Sequence, residues 1–415
     1  MSGIVASAGQ RIGLLVGGSP SAPFGDLLAQ ARDRGIPVLV PAAVAASTPE
    51  VPALVNSMGI RWEEVGEDLV VVGHERGLDT IITFDEAFAY ECLAATVQLR
   101  GSDAPRPKDK LDMRILLNER GLSHTRVWEL ASEGDVAAAM RDAGTIVVKP
   151  RRGVSSCDVV VARDLPSWRR SVAEREVDLA SGEFYAEEFH EHLPFGEHQD
   201  WYASYLSVDV FNGVDGPVYL AADRKKPAAN YGETGALVPS RVTAAERTAL
   251  EVWAGGIAAL WKGLWPAFHI EFVHTAQGFQ LIEVNPRLGG HLHVMVKAVS
   301  DDGDLIGSVL DTASGGTPRV PQLRGHASYF LVHPPEDALA LESLPDYRSL
   351  VRRHANVSVA VRRRTTDEFD SRSGTLNALC GLLVTAPDAD ALREEIDRAH
   401  AHVISTARFS YGGAE

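Results

Sequence analysis

Cysteine is nearly absent from this chain. Cys92, Cys157 and Cys380 are the only three in 415 residues, and they are widely separated. That spacing suggests no disulfide framework and fits a reducing compartment. No stretch approaches the ~20 consecutive apolar residues of a membrane span. The opening MSGIVASAGQ has no basic segment leading into an apolar core, so it does not read as a secretory leader. Positive charge is also scarce: 40 Lys and Arg stand against 56 Asp and Glu, a net charge of −16. Such a balance argues against a general nucleic-acid binder and against docking on an anionic membrane, while leaving room for a local basic pocket. Repeats and low-complexity tracts are missing. The Gly17-Gly18 turn is not a GxGxxG fingerprint, so no dinucleotide site is assigned there. These absences together describe a soluble, cytoplasmic protein.

What is present is enough for two or three domains, with 45% hydrophobic and 23% charged residues. RIGLLVGG reads as a buried strand and FGDLLAQARDRG as a helix stopping at Gly35. Val38–Val40, DLVVVG and DTIITFD read as further strands, and AFAYECLAATVQLRG as a helix. Strands alternating with helices imply a parallel, doubly wound first domain over 1–106. After the linker SDAPRPKDK, a helix from Lys110 ends at Gly121. Strands TIVVKP and VVVARD, a helix LPSWRRSVAEREVD and a strand FYAEEF follow, giving a central unit over 107–188. Residues 189–415 hold the strands YLSVDVF and Val218–Ala221, a polar loop DRKKPAANYGETGALVPS, and a helix capped at Thr243. The strands HASYFLV, VSVAVRR and CGLLVTA and a closing helix complete this region.

Carboxylates sit oddly in FHIEFVHTAQGFQLIEVNPRLGG, residues 268–290. The two β-rich runs read as a hairpin. With Ala276–Gly278 as the tight turn, Glu271 falls opposite Glu283, and Asn285 shares the face of Glu283 because side chains repeat every second residue. Like charges opposed across two strands destabilise a sheet. A hard divalent cation would relieve them, and Mg²⁺ is usually held by one or two carboxylates plus phosphate oxygens. A solvated hairpin face is the plain alternative. Lys149 ends an apolar strand before a loop of small residues, which suits a phosphate: backbone N–H groups approach the oxygens while the lysine adds a point charge. An edge lysine before an ordinary turn is the alternative there.

Order along the chain adds to these local readings. PKDKLDMRILLNERGLSHTRV, TIVVKPRRGVSSCDVVV, FYAEEF with the later SVDV, and HIEF…FQLIEVNPRLGG resemble, in sequence and order, the ATP-grasp superfamily of carboxylate–amine ligases. The resemblance spans about residues 10–410. It implies an α/β ATP-grasp fold: a Rossmann-like domain before the ATP-grasp unit, a central ATP-binding lobe, and a C-terminal α+β lobe. By that resemblance Lys110 and Lys149 contact nucleotide phosphates, and the loop Gly153–Ser156, including Ser155, closes over them. Glu187, Glu188 and Phe189 form the hinge that holds adenine, with Glu197 on the ribose. Glu271, Glu283 and Asn285 ligate Mg²⁺, with Mn²⁺ able to replace it. Arg287 and Lys149 are the catalytic cations, Arg287 steadying the transferred phosphoryl group and the acyl-phosphate.

The chain departs from the family pattern in places. Ser155 and Asp158 stand where glycine is usual, with Cys157 between them as a small filler. An extra stretch, HLPFGEHQDWYASYL, precedes SVDV, and NPRLGG continues as His291-Leu292-His293. Two alternate histidines without a third partner read better as substrate lining or helix capping than as zinc ligands. The insert and the polar loop resemble ligases that join unprotected L-amino acids. That likeness implies a substrate site drawn from Arg287, Gly289, Gly290, His291, His293, Trp201, Lys225, Lys226 and Glu233. The expected protein is an ATP- and Mg²⁺-dependent ligase joining a small carboxylic acid to an amine, working as a homodimer by family analogy. The rivals are an ATP-grasp ligase or carboxylase acting on another acid, and a nucleotide-binding regulatory protein without turnover.

Overall fold

A computed structural model describes residues 10–411, apart from 154–157, 176, 227–232, 320, 362, 366, 370–374 and 376. Ser155, Ser156 and Cys157 therefore lie outside the described residues.

The first sheet is parallel, in the order Trp62–Val65, Val38–Pro41, Ile12–Leu15, Thr80–Thr83. One expectation fails here. DLVVVG is not a strand but the start of a helix, Leu69–Arg76. Asp68 caps it by accepting from the N–H groups of Val70 and Val71, and Gly77 ends it with φ at +62°. A carboxylate cap and a left-handed glycine outweigh the β-preference of three valines, and Trp62–Val65 takes the strand position instead. The chain order around this sheet reverses between Ile12–Leu15 and Thr80–Thr83. The loops leaving their carboxyl ends, Gly17–Ser21 and Asp85–Glu86, thus meet at the switch point where doubly wound sheets place ligands. Asp85 joins the two loops, its carboxylate accepting from the Ser19 N–H at 2.8 Å.

The central sheet is antiparallel, in the order Val127–Glu129, Phe184–Glu188, Ile146–Pro150, Val160–Ala162. Helices Glu133–Ala143 and Leu165–Arg175 pack with it around a core of its own, which includes Val136, Ile146, Val148, Ala162 and Trp168.

Eight antiparallel strands form the third sheet. Their order is Gly278–Asn285, Ala267–Thr275, Tyr202–Gly213, Gly216–Lys225, Gly235–Val238, His326–Val332, Cys380–Ala386, Val357–Val361. Gly235–Val238 falls in the stretch read as a polar loop. Its GALV is apolar and fully buried, but four residues among polar neighbours gave little periodicity to read. Thr243 caps helix Ala244–Ala259 in a complete capping box with Glu246. The hydrophobic core of this sheet is continuous with that of the first, since one cluster runs from Leu14 and Ile82 through Val208 and Phe268 to Leu331. Polar ties reinforce the junction: Arg34 to Asp311 at 3.0 Å, and Gln30 to Asp304 at 2.7 Å. The first and third sheets thus share one core, and the central sheet stands on a separate one. None of the described helices is long and apolar enough to cross a membrane.

Candidate active site

Glu271 does lie opposite Glu283, and His269 opposite Asn285, but by a different route from the one expected. The turn is only Ala276-Gln277, with Thr275 opposite Gly278. Continued without interruption, that register would pair Glu271 with Ile282. A bulge between Glu271 and Phe272 absorbs Ile282 and restores the pairing of the two carboxylates. The bulge also has a partner, because the Ile282 carbonyl accepts from the Arg114 guanidinium.

Around this hairpin the sequence-predicted residues converge. Lys110, at the start of helix Lys110–Glu119, sits 3.0 Å from Glu283 and donates to the Gly153 carbonyl at 2.8 Å. Its third partner, Glu86 at 3.0 Å, comes from the switch-point loop of the first sheet. The other oxygen of Glu86 takes the Arg287 guanidinium, so one carboxylate links the two cations. Burial works against charge on Glu86, yet Arg287 and Lys110 together hold its pKa down at about 2. The same network keeps Lys110 protonated well beyond its ordinary range despite burial, chiefly through Glu283 and Glu86. Tyr90, from the first domain, ties the hairpin down by donating to the Val284 carbonyl at 2.8 Å.

Lys149 and Glu187 pair at 2.6 Å on neighbouring strands of the central sheet, both buried. Arg114 closes a second side of Glu187 at 2.9 and 3.3 Å. Burial alone would raise the Glu187 pKa, but Arg114 and Lys149 hold it at about 2. Glu188 turns outward to Arg126 at 3.0 Å. The backbone expected to serve as the hinge is engaged within the protein: the Glu188 N–H donates to the Arg126 carbonyl and the Phe189 N–H to the Thr145 carbonyl. Phe189 stacks on His192 at 5.3 Å.

Behind Glu271 lies a buried polar chain. His269 faces Glu271 at 3.2 Å through Nε2 and Asp209 at 3.0 Å through Nδ1. Asp209 also accepts from the Gly289 N–H at 2.6 Å. Desolvation opposes a charged imidazole, but Asp209 and Glu271 raise its pKa to about 9. Glu271 in turn is held at about 2, against burial, by His269 and then Arg224. The opposed carboxylates are therefore already answered by protein cations: Glu283 by Lys110, Glu271 by His269 and Arg224. Repulsion between them is not by itself the mark of a metal. Asn285 supplies a better one. Its amide donates to Glu283 at 2.7 Å, while its Oδ1 is buried without a partner. Two carboxylates and that oxygen form a hard, oxygen-only donor set which phosphate oxygens would complete, as Mg²⁺ requires. Among the described residues no three His, Cys, Asp or Glu side chains form a closed metal cage.

The remaining substrate candidates divide. Gly290 borders open space and Gly289 abuts Asp209 and His269. His291 has φ at +62° and stacks on Tyr329 at 3.8 Å, and it opens helix Leu292–Ala298 without a side-chain cap. His293 is buried and faces Asp26 of the first domain at 3.3 Å. Lys225 lies over the rings of Trp201 and Phe330, and Trp201 bonds Asp397 of the closing helix. Strand alternation puts Lys225 on the face away from Glu271, with the Trp201 ring beside it, and the adjacent Arg224 takes the inner position that Lys225 was expected to hold. Glu233 joins through Arg224, at 3.1 Å. Glu197 is exposed within the insert, with its carbonyl held by Arg241, outside the network around Lys110 and Lys149.

Sequence reasoning missed Glu86, Arg114, Asp209, His269 and Arg224. Some left a signal. Arg114 is a cation on the apolar side of its helix, flanked by buried Met113 and Leu117. Asp209 interrupts the apolar run Val208–Phe211, and Glu86 follows the buried strand Thr80–Thr83 at the carboxyl end of the sheet.

No family profile matches the chain, and no curated protein matches it in sequence. Solved structures do match, along almost the whole length. N5-carboxyaminoimidazole ribonucleotide synthetase from Thermotoga maritima superposes with a TM-score of 0.66 at 16% identity, over 97% of this chain and 100% of that one. L-amino acid ligase from Bacillus licheniformis gives 0.66 at 14% identity, over 98% and 100%. The biotin carboxylase domain of 2-oxoglutarate carboxylase from Hydrogenobacter thermophilus, solved with MgADP, ADP and bicarbonate, gives 0.61 at 15%, over 97% and 91%. The chain has the ATP-grasp fold that its motif order implied.

Proposed function

We propose that the protein is an ATP- and Mg²⁺-dependent ligase that activates a small carboxylate as an acyl-phosphate and joins it to an amine, releasing ADP and phosphate. One observation carries this reading. Lys110, Glu283, Asn285, Glu86 and Arg287, drawn from three parts of the chain, meet in a single part-buried network beside the Lys149–Glu187 pair. A cluster combining phosphate-binding cations with an oxygen-only metal set matches the needs of phosphoryl transfer, in which positioning and charge neutralisation do most of the work. Similar solved structures add support: one was solved with MgADP and one is an L-amino acid ligase.

The roles follow from chemistry. Lys149 and Lys110 hold the triphosphate, Lys110 turning from Glu283 to phosphate. Glu271, Glu283 and Asn285 hold Mg²⁺, which supplies charge neutralisation on the phosphate oxygens. A carboxylate oxygen attacks the γ-phosphorus and the bond to the ADP oxygen breaks. The amine nitrogen then attacks the acyl carbon, loses a proton, and expels phosphate. Arg287 steadies the phosphoryl and acyl oxygens, since its planar fork suits bidentate contact. Closure of the central lobe, which has its own core, keeps water from the acyl-phosphate.

Within this class we favour an amino acid as the acid and a dipeptide as the product, made in the cytoplasm by a homodimer. A second reading has equal structural likeness behind it. The carboxyaminoimidazole ribonucleotide synthetase matches with the same TM-score, and the same phosphate machinery would then activate a different acid such as bicarbonate. ADP release with MgATP, measured across single amino acids and pairs with mass spectrometry of products, decides. Pair-dependent release with a product mass of both acids less water supports dipeptide ligation. Release with bicarbonate and an amine alone supports the second reading. No release in protein that binds MgATP overturns both.

A further inference from the structure

Asp209 is almost fully buried, and its neighbours Val208 and Val210 are apolar. A lone carboxylate in such a place is expensive unless every oxygen is answered. Here both are, and by two different parts of the site. Oδ1 accepts from the Gly289 N–H at 2.6 Å, in the loop that follows Arg287. Oδ2 meets His269 Nδ1 at 3.0 Å, and the other ring nitrogen faces Glu271 at 3.2 Å. The fit is tight. A Cβ added at Gly289 would come within 2.5 Å of His269 Nδ1 and 2.9 Å of the Asp209 carboxylate.

We propose that Asp209 is a positioning residue that joins Glu271, through His269, to the Arg287–Gly290 loop, so that the metal ligand and the acyl-binding loop are held as one unit. This rests on the ligase reading above. If Asp209 only packed the core, altering it would lower stability without touching the metal. As a joint, it also transmits disturbance: a change at Gly289, which holds no metal, alters the set of Glu271. Outer partners of metal ligands typically change metal affinity by about 10–100-fold when lost.

The test is Mn²⁺ binding to the full-length protein with a non-hydrolysable ATP analogue, followed by electron paramagnetic resonance, beside thermal unfolding. Asp209→Asn, which keeps the shape but not the charge, is expected to weaken Mn²⁺ binding about tenfold. Gly289→Ala is expected to weaken it several-fold in the same direction, and it carries the test if Asp209→Asn does not fold. Mn²⁺ affinity within twofold of the parent in Gly289→Ala, or in a folded Asp209→Asn, overturns the proposal. Glu283→Gln separates the two levels. If it loses Mn²⁺ while the other variants keep it, only the joint is wrong; if it keeps Mn²⁺ too, the metal reading has failed and the joint with it.

Discussion

At the scale of single residues, charge balance decides what each variant does. Glu283 neutralises Lys110 and is a proposed metal ligand, so Glu283→Gln removes both functions while keeping the volume. Turnover is expected to fall at least about 100-fold, with the circular dichroism spectrum unchanged. Retained turnover would remove Glu283 from the metal set. Arg114 makes a different case. It contributes no ligand contact in the proposed chemistry, but it holds Glu187, Ser123 and the bulged Ile282 carbonyl while almost fully buried. Arg114→Met leaves the buried Glu187 with Lys149 and the Tyr185 hydroxyl, and breaking such a pair is expected to cost roughly 3–5 kcal/mol. Urea unfolding measures it; a loss below about 1 kcal/mol would mean that Lys149 and Tyr185 suffice for Glu187.

Secondary-structure elements bring these residues together, and their ends are where sequence and structure agree or part. The capping box at Thr243 was legible because Thr and Glu three residues apart precede a helical apolar pattern. Thr243→Ala should lower stability by about 1 kcal/mol with turnover unchanged, because helix Ala244–Ala259 contributes none of the site residues. A large loss of turnover would show that this helix reaches the site after all. The hairpin was legible in outcome and illegible in detail. Glu271 and Glu283 do face each other, but a two-residue turn and a bulge at Ile282 replace the three-residue turn assumed. Alternation along a strand can be read from sequence. A bulge cannot, because here its support comes from Arg114, far away in the chain. Leu69–Arg76 shows the converse, where a local signal at Asp68 and Gly77 was present and the valine run was given too much weight.

For the whole molecule, titration of the buried network sets a pH window. Glu187 has a folded pKa of about 2, below the ordinary carboxylate value near 4.5. It therefore contributes stability above about pH 4.5 that is lost as pH falls toward 2, on the order of 3 kcal/mol. His269 has the opposite sign. Its folded pKa is raised to about 9, so its contribution is complete below about pH 6.5 and lost as pH rises through 9. Stability should peak between about pH 4.5 and 6.5 and decline on both sides, as urea midpoints across pH 3–10 would register. His269→Gln should flatten the alkaline limb and leave the acid limb in place; an alkaline limb unchanged in that variant would assign it to other groups.

Sequence alone determined the fold class, the order of the motifs and the residue types of the site. Period-two and helical patterns are local, and the motifs are short enough to carry their own spacing. Lys149, Glu271, Glu283 and Asn285 could be picked out in that way, whereas Lys110 and Arg287 came only from the resemblance in motif order. Tertiary structure decided which charges meet. Glu86 reaches Lys110 across 24 residues and Arg287 across 201. Arg114 reaches Glu187 across 73, and Asp209 reaches Gly289 across 80. Such pairings depend on how three sheets dock, which no local period encodes. The same docking turned the face of Arg224 toward His269 and Glu271 and left Lys225, over Trp201 and Phe330, on the opposite face, because successive side chains of a strand alternate.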